Sequence, residues 1–552
     1  MGRTNRRIAL FMGFALVFLG ALTARAFYVQ VIAAPGLQEK AESQHVRNVS
    51  LDAPRGTIYD RDGQPLAVSQ TMASVYANPS RIDDPAKVAA QLAPILGRTE
   101  QELAADLTDD SLSVCLARKI DKASGEKVEE LDIPDVWVIP EDKRIYPKGA
   151  LAPQLLGFVG TDNEGLAGIE HEYEKVLSGT PGTMEVVSDL SGNRLSTVSV
   201  QEAVPGESIT LTIDEDIQFE TEKVLAAAVE EFDAKRACAI VLDPGTGEVL
   251  AMANTPVFDT NEFGSVAEPD RRNMVVNDQY EPGSTFKMVV TAAALEAGLV
   301  TPETTFTLGK DIKVYDRVVH ESHAESVPDR RELTVTDILA QSSNVGAVTL
   351  GLEVGKTRLV EMIRRFGFTE KLGIDFPGEA GGQMLAAEKW SGTTIANVPI
   401  GQGIAASPLQ LAAAYAAIAN DGQLVQPHLV RDSIQPWTRR VVSSTVAAEL
   451  RDMLTVTVED GTGKLAQVEG YGVAGKTGTA QKVKEDGSGY AEDRFIASFV
   501  GMVPADSPRL VILVMVDEPA SQHLGAYVAA PAFAKIADFS LKCLGIGPST
   551  AD

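Results

Sequence analysis

The 552 residues carry 49 Lys and Arg against 76 Asp and Glu, a formal net charge of −27, and 44% of them are apolar. So acidic a balance argues against a nucleic-acid binder, which needs a basic face to neutralise phosphates. The apolar fraction excludes wholesale disorder, and the length accommodates about two to four domains.

Arg3, Arg6 and Arg7 precede an apolar run over residues 8–24. At about 1.5 Å per residue, this run reaches the short end of a membrane span. Arginines before it and a long acidic chain after it put the N-terminus in the cytoplasm. Ala24-Arg25-Ala26 has the small-x-small form of a signal-cleavage site, but "FYVQVI" continues the apolar character past Arg25. Residues 1–30 are therefore read as a cytoplasmic tail and retained transmembrane anchor, with the rest of the chain outside the cytoplasmic membrane.

Residues 47–70 alternate β-branched residues with Pro-Arg-Gly and Asp-Gly, which predicts strands and a tight turn. Residues 84–108 and 120–131 have helical periodicity, and residues 146–182 are turn-rich and then helical. The texture changes near residue 206. A helix over about 215–232 is followed by a hairpin in "ACAIVLDPGTGEVLAMAN". Helical segments are expected over 284–298, 334–349 and 356–366, a second hairpin around Pro-Ala-Asp-Ser-Pro, and a final helix over about 528–542. Strands, then helices, then strands and a helix predict an α+β architecture, an antiparallel sheet flanked by helices. The three cysteines, Cys115, Cys238 and Cys543, form neither a metal-spaced cluster nor a disulfide framework.

Residues 470–477, "GYGVAGKT", match the spacing of a phosphate-binding loop. Such a loop must follow a buried strand and open a helix. Here the preceding stretch is polar and glycine-broken, and Gly478 would fall in the helix's first turn. The pattern fails its context.

Other residues pair better with this segment. In "YEPGSTFKMVV", Ser284 opens an apolar helical run and Lys287 lies one turn on, so the two side chains share a face. A serine hydroxyl is a poor nucleophile until its proton is taken. A lysine desolvated by an apolar helix, near another cation, has a lowered pKa and can take it. In "LAQSSNVGAV", Ser342 and Asn344 point the same way if the segment is extended. Ser342 can then pass a proton to a leaving amine, and Asn344 can bind a substrate amide. Lys476-Thr477-Gly478-Thr479, on an edge strand beside the serine helix, supplies a cation, hydroxyls and a backbone N–H for an oxyanion. Gly478 lets a substrate approach that strand.

Single triplets are weak signals. Ser124…Lys127 and Ser191…Asn193 fit the same patterns, but both lie in the first half in turn-like contexts. What distinguishes the others is their order within one domain, a motif set found in penicillin-binding proteins and class A β-lactamases.

On these motifs the chain resembles the class B penicillin-binding proteins, membrane-anchored peptidoglycan D,D-transpeptidases. "PRGTIYDRDG", "LLGFVG", "GLAGIEHEYEKVLSG", "DPGTGEVLAMAN", "IGQGIAASPLQLAAAYAAIANDG" and "GKTGTAQK" are similar to blocks of that family. The resemblance implies a pedestal, dimerisation-like domain over 31–205 and a transpeptidase domain over 206–552. It implies Ser284 as nucleophile, Lys287 as its base, and Ser342 and Asn344 as the second motif. Lys476, Thr477 and Thr479 would bind the substrate carboxylate, and the amides of Ser284 and Thr479 would form the oxyanion hole. No cofactor or metal is implied. The expected ligands are peptidoglycan stem peptides and β-lactams. The expected partners are a SEDS-type glycosyltransferase and divisome proteins, and "YEPGSTFK" resembles the septal division branch more than the elongation branch.

Other functions fit less well. A β-lactamase of class A carries Glu-x-x-Leu-Asn to activate the deacylating water, and that string is absent. A β-lactam sensor or scaffold needs no full catalytic set. No Gly-x-Ser-x-Gly elbow is present for a Ser-His-Asp hydrolase. His320 and His323, three apart in a polar loop, read as a solvated pair rather than metal ligands.

Overall fold

The computed structural model describes residues 2–34, 46–109, 111–188, 194–322, 327–484, 486 and 488–548. The chain divides into two compact units that interleave in sequence. The first comprises residues 1–55, 70–143 and 178–206, and the second residues 56–69, 144–177 and 207–552. The stretch expected as a pedestal, 31–205, thus contributes two segments to the second unit.

In the first unit, a helix over Gly2–Phe27 continues as a wider turn to Ile32. Among the described residues it is the one helix long and apolar enough to cross a membrane, with 28 residues from Asn5 to Ile32. At about 1.5 Å per residue it is longer than the hydrocarbon core of a bilayer, so the 17-residue apolar run understated the span.

Three short helices of this unit, Pro85–Leu96, Glu100–Asp106 and Lys122–Glu130, start at capping side chains. Asp84 accepts from the Lys87 amide, Thr99 and Glu102 form a reciprocal box, and Asp121 accepts from the Ser124 amide. Val88, Ala89, Leu92, Leu103, Leu116 and Val128 pack together beneath them. Ser124 donates its hydroxyl to Asp121 at 2.7 Å, so this copy of the Ser-x-x-Lys pattern belongs to a helix cap. Ser191 and Asn193 lie outside the described residues, as does His323.

The second unit is built on a five-stranded antiparallel sheet. Helix α1 (Glu215–Phe232) is capped by Asp214 and ends at Asp233 in a left-handed conformation. Strands β1 (Arg236–Leu242) and β2 (Val249–Thr255) follow as the expected hairpin. The helical layer comprises α2 (Lys287–Glu296), α3 (Val335–Ala340), α4 (Asn344–Arg365), α5 (Pro408–Ala419) and α6 (Ser444–Glu459). Strands β3 (Ala474–Val483), β4 (Tyr490–Val503) and β5 (Leu510–Asp517) return to the sheet, and α7 (Gly525–Cys543) closes the chain. The spatial order is β2-β1-β5-β4-β3, which leaves β3 at an edge.

Side-chain alternation divides the core. Ala237, Ala239 and Val241 of β1, with Leu510, Ile512 and Val514 of β5, pack with Val528, Phe533 and Ile536 of α7 and with α1. Cys238, Ile240 and Leu242, with Val511 and Leu513, pack with α2, α4, α5 and α6. Both sheet faces are covered, which is why these strands read as unbroken apolar runs.

Segments 56–69 and 144–177 join this unit through polar anchors. Asp60 accepts from the amides of Asp62 and Gln64 and makes the tight Asp-Gly turn. Arg144, fully buried, donates to Glu170 at 2.6 Å and to the Gly56 carbonyl at 2.7 Å.

Candidate active site

The serine motif begins at a left-handed glycine. Gly283 has φ +57° and leads a single 3-10 turn, Gly283–Phe286, which passes into α2 at Lys287. In a 3-10 turn, residues three apart eclipse, so Ser284 and Lys287 are stacked along one line. Ser284 is half-buried and lines a cavity of about 440 Å³. Lys287 is 1% exposed, because α2 is buried from Lys287 to Leu295. Thr285 is locked below by a hydrogen bond from Tyr415 to its carbonyl at 2.8 Å.

The second motif is not extended. It is a tight turn between α3 and α4, in which Ser342 has φ +60° and Ser343 caps α4 by accepting from the Gly346 amide. A left-handed serine costs on the order of 1–3 kcal/mol, so the turn must be held by its surroundings. Asn344 is the first residue of α4. The helical pattern over 334–349 breaks here because Gln341 ends α3 and Ser343 starts a new cap.

The turn meets the first motif at the lysine. Lys287 Nζ donates to the Ser342 carbonyl at 2.5 Å, to Ser342 Oγ at 3.1 Å and to Asn344 Oδ1 at 2.7 Å. An ammonium has three donors and no acceptor. Three oxygen acceptors match its charged form, and loss of one proton frees a lone pair.

The third motif lies on β3, where Lys476 to Thr479 pair antiparallel with β4 from Val500 to Ala497. A strand, not a helix, follows Gly475, which disposes of the phosphate-loop pattern. Lys476 is fully buried, with Nζ 3.3 Å from its neighbour's carbonyl and 3.4 Å from Thr477 Oγ1. Thr477 Oγ1 in turn lies 3.0 Å from Thr462 Oγ1. Thr479 Oγ1 accepts from the Gly525 amide at 3.1 Å. A Cβ at Gly478 would lie 2.4 Å from Ser498 Oγ and 2.9 Å from Thr285 Cγ2, so only glycine allows β3 to approach the serine turn this closely.

The cavity is lined by Ser284, Ser342, Asn344, Thr477 and Thr479 together, with Glu281, Gln402, Phe495 and His523 also on its wall. All three predicted motifs converge on it. Burial draws the Lys287 amine down to about 7, opposed by the charge of Glu321. Burial, and then the positive charge of Lys287, hold the Lys476 amine well below the usual lysine range. A buried amine beside a second cation has its charged form disfavoured twice over, as at Lys476.

Several wall residues lay beyond the sequence reading. Glu281 accepts from the Gly403 amide and from Tyr490 Oη, both at 2.8 Å. His523 stacks on Phe495 with ring centroids 4.2 Å apart. Glu321, which does not line the cavity, accepts from Ser343 and Asn344. The Ser-x-x-Gly cap at Ser343 was a readable local signal, whereas the other contacts join segments far apart in sequence.

Known proteins resemble this chain in sequence and fold. The penicillin-binding protein transpeptidase domain matches residues 237–538, and the penicillin-binding protein dimerisation domain matches residues 50–211. The probable peptidoglycan D,D-transpeptidase PbpC of Pseudomonas aeruginosa is 35% identical over 552 residues, covering 99% of this chain and 96% of its own. Peptidoglycan D,D-transpeptidase FtsI of Escherichia coli is 31% identical, covering 98% and 92%. Penicillin-binding protein 3 of Mycobacterium tuberculosis, solved with aztreonam, superposes with a TM-score of 0.71 at 30% identity over 91% of this chain and 98% of its own. The chain belongs to the class B penicillin-binding proteins, the serine-type peptidoglycan D,D-transpeptidases that join a dimerisation region to a transpeptidase domain.

Proposed function

We propose that Ser284 is the acylated serine of this transpeptidase and that Lys287 is its base. The observation that carries the reading is the buried Lys287 amine, tied to Ser342 and Asn344 one helical turn from a serine that opens into the cleft. Ser284 Oγ attacks the penultimate D-Ala carbonyl of a stem peptide and its proton passes to Lys287 Nζ. The backbone amides of Ser284 and Thr479 hold the oxyanion. The bond to the terminal D-Ala then breaks, and Ser342 relays the proton from Lys287 to the leaving amine. Asn344 holds the substrate amide. Lys476, Thr477 and Thr479 bind the terminal carboxylate, and Gly478 admits the peptide beside β3. An amine of a neighbouring strand then attacks the ester and restores Ser284.

A β-lactam enters the same site as a donor mimic and remains attached. The N-terminal helix anchors the enzyme as a single pass in the bacterial cytoplasmic membrane, with the catalytic unit outside. A SEDS-type glycosyltransferase supplies the glycan strands, within the septal machinery, a placement supported by the similarity to FtsI.

The test is a donor peptide ending in D-Ala-D-Ala, offered with an acceptor amine. Release of D-Ala with formation of the acyl–acceptor amide, lost in Ser284→Ala and Lys287→Ala, is the expected result. Hydrolysis with no amide product would overturn the transfer step.

A further inference from the structure

The turn that carries Ser342 and Asn344 is held by a residue outside all three motifs. Glu321 follows a short strand, Arg317–His320, and is 7% exposed. Its Oε1 accepts from Ser343 Oγ at 2.5 Å and from Arg331 Nη2 at 2.8 Å, and its Oε2 accepts from the Asn344 amide at 2.8 Å. One carboxylate therefore binds two successive residues at the N-terminus of α4, where negative charge is favoured by the free amides and the helix dipole. The Asn344 side chain is fixed from the same segment, with Nδ2 donating to the His320 carbonyl at 3.0 Å. That bond orients the amide so that its Oδ1 faces Lys287.

We propose that Glu321 is a positioning residue of the acyl-transfer site, a fixed negative charge that holds the left-handed Ser342 turn against the Lys287 amine. It acts through Ser343 and Asn344, and the inference rests on Lys287 being the base. Among the described residues, the charged groups around that amine are Lys476 from β3 and Glu321, with Arg331 paired to Glu321. Across the cavity, Glu281 is held by Gly403 and Tyr490. Glu321 is the acid that favours the protonated amine, and Arg331 attenuates it.

The experiment is the rate of acylation by fluorescent penicillin from pH 5 to 9, using the full-length protein in detergent. In Glu321→Gln, the acid limb moves to lower pH by about half a unit or more, and the plateau falls about tenfold or more, because a carboxamide cannot accept from Ser343, Asn344 and Arg331 together. Glu321→Asp keeps the charge and the wild-type limb. Arg331→Gln moves the limb the opposite way, to higher pH, and decides the matter if melting curves show that Glu321→Gln does not fold. A merely structural residue lowers the plateau without moving the limb, so an unmoved limb in the folded variants overturns the inference while leaving the acyl-enzyme reading intact. Labelling that survives in Ser284→Ala overturns both.

Discussion

Lys287 and Asn344 stand 57 residues apart in the chain, and the amine of one donates to the side-chain oxygen of the other at 2.7 Å. Each sits at the first turn of its helix, α2 or α4. The contact joins two motifs that the sequence presents separately, and it has consequences for rate, pH and packing.

The pH dependence follows from burial of the lysine. Burial draws the amine down to about 7, and only the neutral amine can take the Ser284 proton. Acylation by penicillin should therefore rise about tenfold per pH unit below neutrality and level off above it. Stopped-flow measurement of adduct formation from pH 5 to 9 checks this, and a flat profile below pH 7 would count against Lys287 as base.

Gly478→Ala should separate packing from chemistry. Its Cβ would meet Ser498 Oγ at 2.4 Å and Thr285 Cγ2 at 2.9 Å. Overpacking of this kind costs about 1–3 kcal/mol, and here it pushes β3 from the serine turn. Acylation should fall about tenfold to a hundredfold with Ser284 and Lys287 unchanged, as a misplacement of about 1 Å can do. The check is a fluorescent-penicillin time course beside a melting curve.

The buried pair between Arg144 and Glu170 predicts a stability effect without a catalytic one. Both side chains are fully buried, 2.6 Å apart. Arg144→Met removes the cation from a buried carboxylate, which keeps Tyr146 Oη at 3.3 Å, and should cost about 3–5 kcal/mol, read as a lowered melting temperature. The folded fraction should still acylate at the wild-type rate.

Glu222 predicts a stability effect that depends on pH. Its carboxyl is buried and raised to about 7, chiefly by desolvation. A carboxyl raised on folding contributes stability that is present below its unfolded value, near 4.5, and lost as pH rises through about 7. The difference amounts to about 3 kcal/mol at pH 8. Its Oε1 accepts from both Gln218 and the Ala152 amide, and Glu222→Gln keeps that oxygen. The variant should melt higher than wild type at pH 8 and close to it at pH 5. An equal shift at both would refute the assignment.

Much of this was legible beforehand. Helix α1 could be placed from its apolar periodicity, and both hairpins from their turns, because such signals are local. The cleft motifs were legible because Ser284 and Lys287, and again Lys476 to Thr479, share one helical turn or one strand. The second motif was misjudged as extended. Ser342 is left-handed, and the residues after it, Ser343 and Asn344, bind Glu321 across more than twenty residues, a contact that no periodicity encodes. The division into units was hidden for a similar reason. Ile58 pairs with Ile209, and Arg144 reaches Gly56, so early segments complete the second unit. The N-terminal helix exceeds its apolar run because polar residues extend it before Ile8 and the apolar residues past Arg25 extend it to Ile32.

The most direct measurement is mass spectrometry of the protein after reaction with penicillin. One covalent adduct is expected, carried on the peptide that contains Ser284 and absent in Ser284→Ala. An adduct on another serine, or undiminished labelling of that variant, would contradict the assignment of Ser284.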